Sequence, residues 1–212
     1  MARTTLPGGR PDPIEQPRRT PWHAVAVLVN EAFAPAPTVA ILLLVVAWHS
    51  SASVAGALWW AFLAMLFSSV IPFLYIVSQV RRRRLTDHHV RERRQRPVPL
   101  LVAIVSVLVG LALLVVLGAP RELAALVAAG AVGLVVCTLV TLFWKLSIHV
   151  GVAAGTVVVL VTMFGPALLV LALLVALVGW ARVAVSAHRP AEVLVGGLIG
   201  TAVAATVFPL LR

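Results

Sequence analysis

Three ionisable residues stand at a spacing that could do chemistry. Arg182 is followed by His188, and His188 by Glu192 four residues on. A carboxylate one helical turn from an imidazole can orient the ring and support its positive charge, as the acid does in a Ser-His-Asp arrangement. A second histidine, His149, follows a short polar break, Lys145-Leu146-Ser147-Ile148-His149. A third polar stretch, His89 to Pro97, holds Arg96. Guanidinium forks bind phosphate oxygens in bidentate fashion. Of two histidines, one can attack as a nucleophile and the other can protonate a leaving oxygen. Together these residues suit a phosphorylated ligand. The same residues have plainer readings at helix ends, as interfacial histidines and positive-inside anchors, and Arg189 is read that way.

The elements that must carry them are membrane helices. The chain has 212 residues, is 61% hydrophobic and has only 11% charged residues, with a mean hydropathy of +1.06. A soluble domain carries about 25% charged residues. Apolar runs of about 20 residues recur, long enough to cross a hydrocarbon core of ~30 Å as helices. An all-α, polytopic transmembrane bundle of six to seven helices is expected.

Residues 1–21 are polar, Pro-rich and basic, and read as a disordered arm without the apolar stretch of a signal peptide. Residues 22–212 read as a single transmembrane domain. Trp22 to Pro37, with Asn30 and Glu31, is either an interfacial helix or a broken first span. Residues 54–79 form a strong span, with Trp59 and Trp60 near one end, Tyr75 near the other, and a kink expected at Pro72. Val98 to Leu117 and Leu123 to Trp144 form a hairpin about Gly118-Ala119-Pro120. His149 to Phe164 and Ala167 to Ala181 form a second hairpin about Gly165-Pro166, and Val193 to Leu211 is the last span. Gly110, Gly118, Gly151, Gly155, Gly196, Gly197 and Gly200 are read as close-packing positions.

Two crossings separate His89–Pro97 from Lys145–His149, and two more separate that break from Arg182–Glu192. An even number places all three polar stretches on one face. Eight of the 17 Lys/Arg residues fall between Arg81 and Arg96, which makes that face cytoplasmic and brings it against anionic head groups. Between two spans such a run indicates membrane lipids rather than nucleic acid as partner. Cys137, the single cysteine, lies in an apolar run, so neither an intrachain disulfide nor a cysteine metal cluster is expected.

In order and spacing the three stretches resemble the motifs of the type-2 phosphatidic acid phosphatase superfamily: Lys-x6-Arg-Pro, Pro-Ser-Gly-His and Ser-Arg-x5-His-x3-Asp. The chain has His89-x6-Arg96-Pro97, Leu146-Ser147-Ile148-His149 and Ala181-Arg182-x5-His188-x3-Glu192. The resemblance covers roughly residues 80–211, and its third motif is the most specific. It implies a metal-independent, multi-pass lipid phosphate or prenyl (di)phosphate phosphatase of the plasma membrane. His188 would form a phosphohistidine, Glu192 would orient it and His149 would protonate the leaving alcohol. Arg96 and Arg182 would hold phosphate oxygens with Ser147, and His89 stands where the family has Lys. Lys145 is a candidate for the missing charge. No cofactor is implied.

The motifs depart from the family at His89, at Ile148 (a glycine in the family) and at Glu192 (an aspartate). A non-catalytic relative that binds or moves anionic lipids is therefore the alternative. A Mg²⁺-dependent prenyltransferase would need clustered aspartates, and the chain has only Asp12 and Asp87. The spans do not distinguish phosphatidate, phosphatidylglycerophosphate and polyprenyl diphosphate as substrates, and they leave the oligomeric state open. Their small residues would permit a cleft for one or two acyl or prenyl chains.

Overall fold

A computed structural model describes residues 21–86, 93–95 and 97–212, which are helical apart from short connections, with no strand among them. The basic arm, apart from Pro21, lies outside the described residues. So do His89, Arg96, Asp87 and His88.

The chain starts with α1 (Pro21–Ala32) and α2 (Pro35–Ser50), bent by 48° at the break between them. Pro35 and Pro37 explain the break. Proline cannot continue a helix from behind, but its fixed φ suits the first turn of a new one. Ser53 caps α3 (Val54–Met65), accepting from the Gly56 N–H at 3.1 Å.

The expected kink at Pro72 takes the form of a π-helical turn, Leu66–Val70, leading into α4 (Ile71–Arg81). Pro72 has no N–H, and its ring would crowd the carbonyl one turn back, so the ladder widens by one residue. That leaves the Phe67 carbonyl without its backbone donor, and the Ser106 hydroxyl from α5 (Pro97–Val116) donates to it at 2.6 Å. One turn on, Gly110 has no Cβ to collide with the Phe67 side chain.

α5 ends at Gly118, whose φ of +77° closes the helix. Its N–H donates to the Val115 carbonyl and that of Ala119 to the Leu114 carbonyl. No neighbouring atom lies where a Gly118 side chain would sit. This glycine serves the turn, not the helix packing expected of it.

α6 (Arg121–Phe143) returns to the first end and α7 (Ile148–Phe164) leaves it again. After Gly165, a 3₁₀ segment, Pro166–Leu171, leads into α8 (Ala172–Ala184), and α9 (Pro190–Leu211) ends the fold. Five runs are long and apolar enough to cross a membrane: 54–81, 97–116, 121–143, 166–184 and 190–211. The bent pair α1–α2 makes a sixth if it is one span. α7 is apolar but has 17 residues, a length of about 25 Å. The expectation of six to seven spans had counted it in full. Exposed Leu, Val, Phe and Trp side chains cover the outer faces of these helices, as a multi-pass membrane protein requires of surfaces that meet lipid.

α7 and α9 run parallel and unusually close. A Cβ on Gly151 would come within 3.0 Å of the Gly196 carbonyl, and one on Gly155 within 3.4 Å of the Gly200 carbonyl. Cβ atoms on Gly196 and Gly200 would collide with the Ser147 and Gly151 carbonyls. Small residues four apart on both helices let the backbones touch. α6 lies antiparallel beside α9, with Gly133 near Val203 and the Arg121 Nε–H donating to the Leu211 carbonyl at 3.0 Å.

The connections 144–147 and 185–189 therefore meet at one end, the near end. The Ser147 N–H donates to the Glu192 carbonyl there at 3.1 Å. Arg94 and Pro97 lie across a shallow cleft from Thr141 and Leu142, so the loop before α5 comes to the same end. At the far end the His49 and Phe164 rings meet edge to face, and Arg212 Nη1 donates to the Thr162 carbonyl.

Candidate functional site

The near-end site is built on the turn from α8 to α9. Arg182 is in the last turn of α8, and its backbone carbonyl accepts the N–H groups of both Ala187 and His188, at 3.1 and 3.2 Å. Ser186 closes the helix at φ +54°, in a left-handed position that glycine usually fills. This closure sets the distance along the chain between the guanidinium and the imidazole.

Pro190 then starts α9, with Glu192 in its first turn. Its Oε2 lies 2.8 Å from His188 Nδ1 and accepts the Arg189 N–H at 3.3 Å. One carboxylate oxygen thus caps the helix and holds the ring. With Nδ1 as the donor to that oxygen, Nε2 is left to carry the lone pair. The His188 side chain is 2% exposed and that of Glu192 11%.

Arg182 is 2% exposed. Its Nη1 donates to Asn30 Oδ1 at 3.3 Å, while Asn30 Nδ2 donates to the carbonyls of Ala26 at 2.9 Å and Ala181 at 3.3 Å. Asn30 is itself buried and belongs to α1, a helix outside the three motifs. It ties α1 to α8 and holds one nitrogen of the guanidinium. The signal for it was an amide in an apolar stretch, since polar groups inside membrane helices usually have a task.

His149 is in the first turn of α7 and is buried. With Arg182 and His188 it lines one cavity of about 550 Å³, in a wall that also includes Glu31, Ile148, Ser68, Ser69 and Thr156. The first turn of α7 brings its backbone N–H groups and positive dipole end there, a setting that favours an anion. The cavity deepens between α2, α5, α6, α7 and α9, where its lining is apolar.

Of the eight residues singled out in the sequence, three (His149, Arg182, His188) line this cavity, and Glu192 supports His188 from behind. Lys145 does not line it. Its Nζ donates to the Ala187 carbonyl at 2.7 Å, bracing the turn beside His188. Ser147 is fully buried beneath α9, and its hydroxyl finds no hydrogen-bond partner among the described residues. His89 and Arg96 lie outside the described residues. In the sequence Asn30 and the cavity-lining Glu31 mark an ambiguous first helix and are not read as site residues.

The arrangement offers an oriented imidazole, a second imidazole, a buried guanidinium and a helix N-terminus beside an apolar chamber. No family model, no curated protein and no solved structure matches the chain.

Proposed function

We propose that the chain is an integral-membrane phosphatase of lipid phosphates or prenyl (di)phosphates, acting as type-2 phosphatidic acid phosphatases do. The observation that carries this reading is the His188–Glu192 pair at 2.8 Å, with His188, His149 and Arg182 lining one largely apolar cavity. In the reaction, His188 Nε2 attacks phosphorus and the N–P bond forms as the bond to the leaving oxygen breaks. His149 gives its proton to that oxygen, and Glu192 supports the charge that develops on the His188 ring. Water then attacks the phosphohistidine and passes its proton to His149. Inorganic phosphate leaves, and both histidines regain their starting states. Arg182 and the first turn of α7 bind the phosphate oxygens throughout.

The direct test is phosphate release from long-chain lipid phosphates by the purified chain in detergent. Wild type is expected to turn over at least one of them, and His188→Ala to lose activity by at least about 10³-fold, as when a nucleophile is removed. A broad panel left intact by wild type overturns the reading.

Glu31 supports a second reading, because this acidic residue lines the same cavity. In that case the chain binds or moves anionic lipids without hydrolysing them. Binding would survive His188→Ala and fail in Arg182→Ala, and equal binding by the two variants counts against it.

A further inference from the structure

The cavity continues past His149 deep into the bundle. Along α7 its wall reaches from His149 to Val159, a rise of about 15 Å at ~1.5 Å per residue. That is half of a hydrocarbon core of ~30 Å, the thickness of one leaflet. The cavity's volume of about 550 Å³ lies within the ~300–1,000 Å³ range of ligand pockets. At the polar end Arg182, His149 and His188 complement an anion, so the cavity matches an amphiphile in both charge and depth.

One wall position is open. Gly130 on α6 lines the cavity, and a Cβ built on it meets no atom within 4 Å. This separates it from Gly151, Gly196 and Gly200, where a Cβ would press on backbone of the facing helix. At Gly130 the missing side chain leaves volume in the cavity.

We infer that the cavity is a binding site for an alkyl or prenyl chain of a lipid phosphate, and that the empty position at Gly130 sets how long that chain can be. The inference rests on the lipid-phosphate reading of the polar end.

The test uses the full chain in detergent and alkyl monophosphates from about eight to about twenty carbons, lengths that bracket the depth of one leaflet. Phosphate release is measured on wild type, and displacement of a fluorescent alkyl phosphate on His188→Ala, so that occupancy is read without turnover. Wild type is expected to peak within the series, with kcat/KM at least about tenfold lower at its ends.

Gly130→Phe fills roughly four carbons' worth of space and is expected to shift the peak by about four carbons toward shorter chains. Gly130→Leu should shift it less and carries the test if the Phe variant does not fold. Val132→Phe, on the exposed face of the same helix, should leave the profile where it was. A flat chain-length profile, or one that Gly130→Phe and Gly130→Leu leave unmoved, overturns the inference while phosphate release upholds the phosphatase. A displaced binding profile without phosphate release from any lipid overturns the phosphatase and upholds the chain site. Loss of both signals overturns both.

Discussion

At the scale of single residues, Glu192 does two things with one oxygen: it accepts the Arg189 N–H at the start of α9 and holds the His188 ring. Replacing it by Gln keeps an acceptor for the helix and removes the charge. Glu192→Gln should therefore retain the fold and lower kcat by about 10²–10⁴-fold, the range seen when an orienting carboxylate is made neutral. Thermal melting alongside kcat checks this, since a purely structural Glu192 would lower both together. Asn30 makes a different prediction, because it acts through Arg182 and not on substrate. A hydrogen bond to a charged group contributes about 1.5–3 kcal/mol, so Asn30→Ala should raise KM for lipid phosphate by about tenfold or more. Asn30→Asp should raise it further, because the new carboxylate competes with phosphate for the guanidinium. A change confined to kcat would remove Asn30 from that role. The two residues also differ in how openly the sequence shows them. Glu192 is four positions from His188, within one local turn, and the spacing alone announces it. Asn30 is 152 positions from Arg182. Only the packing of α1 on α8 brings them together, and no local pattern records that.

At the scale of elements, the α7–α9 seam sets how far His149 stands from His188, since His149 is in the first turn of α7 and His188 in the turn that leads into α9. The seam is a backbone contact and has no soft side to yield. A methyl group at Gly200 meets the Gly151 carbonyl, so Gly200→Ala should destabilise the bundle by about 1–3 kcal/mol, as overpacking does. Gly130→Ala meets open space, and should be neutral or stabilising by up to about 1 kcal/mol through helix propensity. Melting of the two variants in detergent distinguishes a contact glycine from a cavity glycine, and equal shifts would mean that the seam is looser than its geometry. From sequence the two look alike, because both are glycines in apolar helices. Gly118, equally apolar in setting, belongs to a turn. The hairpins about Gly118–Pro120 and Gly165–Pro166 were readable because Gly and Pro mark helix ends by their own backbone limits. The π-helical turn before Pro72 was readable only as a kink, since its form depends on Ser106 reaching Phe67 from another helix.

At the scale of the whole molecule, counting crossings in the sequence correctly brings Lys145–His149 and Arg182–Glu192 together. The hydrogen bonds from Lys145 to Ala187 and from Ser147 to Glu192 join them. Parity survives errors in where each helix starts, which is why it holds although α7 is short and α1–α2 is broken. It does not say which side of the membrane the near end faces. The charge supplies a prediction: eight of the 17 Lys/Arg residues lie between Arg81 and Arg96, and the positive-inside rule then expects the near end in the cytoplasm. The far-end turn at Ala119 should accordingly face outward. Cys137 is the single cysteine and is buried, so introduced thiols can be read against little background. In intact cells a membrane-impermeant maleimide should label Ala119→Cys and leave Arg94→Cys unmodified. Opening the cells should expose Arg94→Cys to the reagent. The reverse pattern would put the phosphate-binding end outside, and the substrate would then have to be an outer-leaflet lipid phosphate. Because the cavity spans about one leaflet from the near end, the orientation sets which leaflet would supply a lipid to the proposed site, and labelling at these two positions decides it.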